Sequence, residues 1–343
     1  MSFSAAASGT QKTLAIRPCQ KFEGHTDWVT GVIHLLGQRI MTCSGDGSLR
    51  VWNLKTGKQI GDAWRDKGYH DGVSAMAVSL DGKKVVCGCL GGAVELWDIN
   101  TGRIIAKWTG HTRNVRSVYW NRDCGRVVSG SGDGIARVWD VESGKTVLAI
   151  ETRHIMVNAA IYSPDMTMIG TGGPGDSDDS KEFIKIWDAK TGKLITNLKG
   201  HTEDVYCLAW TANGSTLISG SEDDSIRTWN TTTWQQIHVL TGHTSIVHRI
   251  AISPNGPILA SASWDYTARL WNLENGLPIG SPLQHPYNVG CVSFSTDGKL
   301  LATGCWHDMD PEDSDADSEY GNAYSWDISG ILEGAGRLNP TVS

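Results

Sequence analysis

The chain has 343 residues, with 40 glycines, 15 tryptophans, only 4 phenylalanines and a formal charge of −7. Frequent glycine between short apolar runs points to many tight turns joining short strands, in two ordinary domains or one large ring. Residues 306–321 hold −7 and residues 172–183 hold −3, so the rest of the body is close to neutral and lacks the concentrated basic surface that nucleic acid requires.

No apolar run reaches the roughly 18 residues of a membrane span. The opening "MSFSAAASGTQKTLAIRP" has no basic start followed by an apolar core, so neither a membrane partner nor secretion is expected. The cysteines (19, 43, 87, 89, 124, 207, 291 and 305) are scattered, and "CGC" at 87–89 is not a zinc pair. Several fall in apolar runs where a small buried hydrophobe fits. Reduced thiols, no metal and no cofactor are expected, in the cytosol with the nucleus as the alternative. The sequons at Asn213 and Asn230 then read as chance.

Taken in chain order, one unit keeps returning. "LRVWN" ends at Trp52–Asn53, and "VELWD", "ARVWD", "IKIWD", "IRTWN", "ARLWN" and "AYSWD" follow with Trp97, Trp139, Trp187, Trp229, Trp271 and Trp326. A histidine precedes each: His25, His70, His111, His154, His201, His243 and His285, four of them in "GHT". Five spacings are 27 or 28 residues; the fourth and seventh units, at 33 and 41, contain the acidic stretches. A valine follows every histidine by three or four places, from Val29 and Val73 to Val247 and Val289.

Within a unit the apolar period is two. "VYCLAW", "TLISGS", "SIRTWN" and "QIHVL" give four strands, separated by turns rich in Asn, Asp and Gly. Such a sheet cannot bury both faces alone. Seven of them stacked about an axis cover one another and leave no long exposed edge.

These Gly-His and Trp-Asp units resemble the WD-repeat β-propeller family across nearly the whole chain. The resemblance implies an all-β, seven-bladed propeller of four-stranded antiparallel blades. It implies a flexible N-terminus over 1–12, one propeller over 13–329 and a tail over 330–343. The tail, "ISGILEGAGRLNPTVS", shows no strand-like alternation, whereas "TLAIRPCQKF-EGH" aligns with "GRIIAKW-TGH". Residues 13–20 are therefore expected to become the outer strand of the last blade and close the ring.

A catalytic Ser-His-Asp reading has to be weighed. Asp46, Asp133, Asp223 and Asp265 each precede their tryptophan by six residues, and Ser129, Ser219 and Ser261 (with Thr42 in the first unit) precede theirs by ten. The resemblance implies four structural sets: His25, Asp46 and Trp52; His111, Ser129, Asp133 and Trp139; His201, Ser219, Asp223 and Trp229; His243, Ser261, Asp265 and Trp271. A catalytic triad occurs once in a pocket, while four copies round a ring are construction satisfying buried polar groups. Gly91, Lys181 and Tyr320 stand at the aspartate's offset in units two, four and seven, and those blades are expected to be tied more weakly.

Both acidic stretches interrupt the turn between second and third strands, which the family's fold places on the top face. In "WHDMDPEDSDADSEYG", Asp308, Asp310, Glu312 and Glu319 fall at positions of a calcium loop. Asp313 stands where glycine is needed, so a solvated acidic flap is the expectation and calcium or catalysis through it the alternative. "GTGGPG" has the spacing of a phosphate-binding turn, but an acidic loop follows instead of a helix.

A partner is expected on the top face, reached by residues flanking the valine of each unit and by the residue before each turn aspartate. Aromatics and arginine anchor protein interfaces, which selects Trp28, Arg116, Tyr206 and Trp264, with Glu222 and His248 as polar neighbours. The expected function is a non-enzymatic scaffold for a protein or peptide; the oligomeric state is open.

Overall fold

A computed structural model of the chain describes residues 16–66, 71–175, 182–306 and 321–338. The described residues form seven four-stranded antiparallel sheets, the all-β propeller expected from the repeats. The third blade shows the unit: Val115–Trp120, Arg126–Ser131, Ile135–Asp140 and Thr146–Glu151, from the axis outward. Its second turn, "SGDG", needs glycine. Gly134 takes a φ of +78°, and a Cβ there would stand 2.7 Å from the His154 carbonyl oxygen.

Side chains alternate between the two faces of each sheet, and here both faces are covered. Val127 packs toward the second blade with Val86 and Val94, whereas its neighbour Val128 packs toward the fourth with Val157 and Ile169. That is why second strands read "RVVSGS" or "TLISGS" with almost no charge. The apolar residues gather into seven clusters, one between each pair of consecutive blades. The cluster between the last and first blades joins Phe22 and Ala323 to Val29 and Trp52. The core is thus a ring of seams.

The N-terminal segment closes the ring, but through later residues than expected. The outer strand of the seventh blade is Gln20–His25 rather than 13–20, and it pairs with Gly321–Asp327, placing Phe22 opposite Ala323. Residues 13–15 lie outside the described residues, and 16–18 form no strand. Pro18 supplies the reason, because it has no N–H to extend a ladder backward. At the other end the partner strand reaches Gly321, so pairing runs on to His25. Phe22 is buried 5.9 Å from the Trp52 ring.

The described part of the tail forms no strand, as its lack of alternation implies, and is helical instead. Ser329–Leu338 is a helix, and Ile331 and Leu332 pack against the cluster that contains Ile279 and Leu283 of the sixth blade.

One irregularity positions the functional face. In six inner strands the pairing register shifts around the residue after the first valine: Thr30, Ser74, Arg116, Tyr206, His248 and Gly290. Such a bulge re-aims the side chain it carries. Thr30 and His248 turn to the next blade and donate to the carbonyls of Val73 and Gly290, at 2.6 and 2.7 Å. Ser74 does the same to Val115.

Candidate functional site

Four blades contain the same buried hydrogen-bond relay. In the third, Trp139 Nε1–H donates to Ser129 Oγ at 2.8 Å, Ser129 Oγ meets His111 Nε2 at 2.8 Å, and His111 Nδ1 meets Asp133 Oδ2 at 2.9 Å. An indole only donates and a carboxylate only accepts. Nδ1 therefore carries a proton toward Asp133, and because burial lowers His111 the ring is neutral, which leaves Nε2 to accept from the serine hydroxyl. Thr42 links His25, Asp46 and Trp52 in the first blade by contacts of 2.7–3.0 Å. Ser219 serves His201, Asp223 and Trp229, and Ser261 serves His243, Asp265 and Trp271, within 2.6–2.9 Å.

Titration follows from this geometry. Burial lowers His25, His111 and His201 although each faces a carboxylate. Burial alone would raise the aspartates, but bonds from the histidine and from Ser48 or Ser225 outweigh it, holding Asp46 and Asp223 well below the usual carboxylate range. Asp265 falls to about 2 in the same way, through His243 and Thr267. The hydroxyls and imidazoles are all buried, so no nucleophile is presented.

The blades without the aspartate are not alike. In the fourth and seventh, Thr171 and Thr303 take the serine's place and accept from Trp187 and Trp326 at 2.8 and 3.0 Å. A backbone carbonyl replaces the carboxylate: His154 Nδ1 donates to Pro174 and His285 Nδ1 to Leu283, both at 2.9 Å. Those two blades keep the indole–hydroxyl–imidazole part of the relay, with a neutral carbonyl in place of the carboxylate. In the second blade Gly91 and Cys87 stand at the aspartate and hydroxyl places, and the buried Trp97 Nε1 has no acceptor among the described residues. His70, Lys181 and Tyr320 lie outside the described residues.

The loops carrying the histidines and the turns carrying the aspartates share the top face. There, five rings from four blades touch in series. Trp28 lies 5.1 Å from Trp306, which lies 5.3 Å from Trp264 and 5.2 Å from His248; His248 in turn lies 5.6 Å from Tyr206. Trp28 is 42 % exposed, whereas Trp306 is 7 % exposed and forms the floor. The buried indole N–H groups of Trp264 and Trp306 have no acceptor among the described residues.

Four of the residues selected from the sequence are therefore contiguous. His248 serves differently from a polar neighbour. Burial, aided by the charges of Arg249 and Arg116, takes it down to about 3, so it is a neutral plate bonded to the Gly290 carbonyl. Trp306 was not among the expected residues, because it heads the acidic stretch and that stretch draws attention to its charge. Arg116 and Glu222 flank Tyr206. Burial, with Glu222 and Glu203 nearby, raises Asp204 to about 6 against the pull of Arg116. The Tyr206 hydroxyl is also raised by burial and then by Glu222 and Asp204. This corner holds three carboxylates and one guanidinium.

The calcium-loop candidates Asp308, Asp310, Glu312 and Glu319 lie outside the described residues. Among the described residues no three His, Cys, Asp or Glu side chains converge as metal ligands. Gly170 and Gly172 lie in the strand Met168–Gly172, and the next described element is the strand Ile184–Asp188 rather than a helix.

The repeat family "WD domain, G-beta repeat" matches residues 16–53, 66–98, 102–140, 192–230, 234–272 and 276–310. The unmatched interval 141–191 contains the three inner strands of the fourth blade, with its insertion and missing aspartate. Among curated proteins, Autophagy-related protein 16 of Arabidopsis thaliana is 26 % identical over 58 % of this chain and 38 % of its own length. The small ribosomal subunit protein RACK1y of Oryza sativa subsp. japonica is 29 % identical over 59 % of this chain and 47 % of its own. The U3 small nucleolar RNA-associated protein 15 homolog of Gallus gallus is 26 % identical over 54 % and 34 %. The chain thus aligns with less than half of each of these relatives. With repeat matches over more than half of its residues and seven blades in its fold, the chain belongs to the WD-repeat β-propeller family.

Proposed function

We propose that the chain is a non-enzymatic scaffold or adaptor that holds a protein or peptide partner on the top face. WD-repeat propellers generally act as protein-interaction scaffolds. The observation that carries the reading here is the single cluster of Trp28, Trp306, Trp264, His248 and Tyr206. It joins an exposed tryptophan to a preorganised aromatic floor, the type of surface on which interface hot spots form. The neighbouring Asp204, Glu222 and Glu203 favour a partner segment that pairs an apolar side chain with a basic one.

The relays support a non-enzymatic role, since their hydroxyls and imidazoles are covered in every copy. The near-neutral body disfavours nucleic acid as the partner. No helix among the described residues is long and apolar enough to cross a membrane. Eight free cysteines, six of them buried, favour a reducing compartment, and we place the protein in the cytosol. The relatives' names span autophagy, the ribosome and a nucleolar RNA, so no particular partner carries over.

Affinity capture from the protein's own cells tests the reading. Wild type should bring down a partner in stoichiometric amount, and the double variant Trp28→Ala/Trp264→Ala should lose it while unfolding at the same temperature. Equal capture by both would remove the top face from the interaction.

A further inference from the structure

The central channel holds a second feature that the top-face reading does not use. It encloses about 940 Å³ and is lined by all seven inner strands, with Leu80, Arg122 and Pro164 of the lower turns at one end. Near its other end, the second residue after the leading valine is small in six blades: Gly31, Ala75, Ser117, Ala159, Cys207 and Cys291. In the sixth blade that position is Arg249. Its side chain crosses the axis, donating from Nη1 to the carbonyls of His248 at 3.1 Å and Tyr206 at 3.3 Å. Nη2 donates at 3.1 Å to the carbonyl of Arg116 in the third blade. The channel is therefore a blind funnel, with a guanidinium at its closed end.

Among the described residues that guanidinium has no counter-ion. The groups acting on it electrostatically are the thiols of Cys207, Cys291 and Cys43. All three are pushed well above the usual thiol range by burial, so they stay protonated and supply no negative charge. A guanidinium has five N–H groups, and the three bonds above leave the Nε–H and one Nη2–H unused. Backbone carbonyls satisfy hydrogen bonds but do not cancel a charge, and a charge kept from water without a partner is costly. Nε and Nη2 form the edge that grips a carboxylate in two parallel bonds. Below Arg249 the lining includes Ala77, Tyr119, Ala209 and Ala251, which is largely apolar. From Arg249 to the lower turn at Ser253 the wall runs four residues, roughly 13 Å at the usual rise of a strand.

We propose that this funnel binds a carboxylate borne on a slender apolar stem, entering from the bottom face and ending on Arg249. It is a site independent of the top-face partner. Its volume lies in the range of small-molecule pockets. Six small residues leave the axis clear, and the seventh places one cation where only a narrow ligand can reach it.

Calorimetric titration of the full chain with dodecanoate, below its micellar concentration, tests the assignment. Dodecanoate should bind one to one, dodecanol at least tenfold more weakly, and dodecyltrimethylammonium not at all. Arg249→Gln should weaken dodecanoate at least tenfold and bring it level with dodecanol. Because Arg249 also ties three blades, that variant could fail to fold. Ala251→Trp provides the second arm, since it fills the funnel below Arg249 and leaves the guanidinium's bonds in place. It should abolish dodecanoate binding while the unfolding temperature and top-face capture stay as in wild type. Equal affinity for dodecanoate and dodecanol, full binding by Ala251→Trp, or no heat with wild-type protein would each overturn the proposal.

Discussion

The relays and the aromatic cluster are built from the same residue types and obey opposite rules. In the relays every polar atom has a partner, the groups are buried, and the arrangement recurs in blade after blade. In the cluster two indole N–H groups lack acceptors among the described residues, Trp28 projects into solvent, and the arrangement occurs once among those residues. Polar groups satisfied internally stabilise a fold and offer nothing to a ligand. Groups left unsatisfied at one place cost stability there and are what a partner can use. An unengaged N–H alone does not mark recognition, since Trp97, Trp108 and Trp210 are buried in the seams with no acceptor among the described residues; in the cluster such groups lie beside an exposed ring.

Acid provides the largest break in the comparison. Histidines held neutral by burial have native pKa values below the unfolded value of about 6.5: His25, His111 and His201 are lowered, His34 and His285 fall to about 4, and His248 to about 3. Below pH 6.5 the unfolded chain binds protons that the native ring does not. Stability is thus complete above that pH and is lost as pH falls toward 4, at up to about 1.4 kcal/mol per pH unit for each histidine. Below pH 4 the depressed Asp46, Asp223 and Asp265 add a further loss. Urea titrations at pH 7.5, 6 and 5 should show a falling midpoint; a flat midpoint would mean these imidazoles are not buried neutral.

Next in size is His111→Ala. It strands the Ser129 hydroxyl and the Asp133 carboxylate and should destabilise the protein by about 3 kcal/mol in chemical denaturation. Partner capture at low temperature should survive. Trp264→Ala should do the reverse, weakening partner binding at least tenfold, about 1.4 kcal/mol or more, with an unchanged denaturation midpoint. The smallest effects divide two blades. Trp139→Phe removes a made hydrogen bond and should cost about 1 kcal/mol beyond the ring's packing, whereas the same change at Trp97 removes an N–H with no acceptor among the described residues. Trp97→Phe should therefore be close to neutral, and a loss equal to that at Trp139 would show that the second blade is tied in some other way.

The blade count was legible because the constraint is strong. A sheet buried on both faces needs apolar residues at nearly every position, and the Trp-Asp endings mark where each third strand stops. Alternation that continues through "TLAIRP" puts the closing strand too early, because the ladder is limited by Pro18, which has no N–H to give. The relays of the fourth and seventh blades were hidden for a different reason. Their acceptors are the carbonyls of Pro174 and Leu283, and backbone groups leave no trace in a sequence. Trp306 could have been found by asking which aromatics border the channel mouth, since it follows the buried run "LLATGC" directly. Arg249 carried a readable signal too: alone among seven aligned positions it is neither small nor uncharged.

Partner retention measured side by side for Trp28→Ala/Trp264→Ala and His111→Ala, at a temperature where both proteins are folded, separates recognition from construction most directly. The face variant should lose its partner and keep its melting temperature, while the relay variant keeps the partner and melts several degrees lower. Loss of the partner from the relay variant alone, with the face variant still bound, would contradict the division of the molecule into an inert ring and one recognising face.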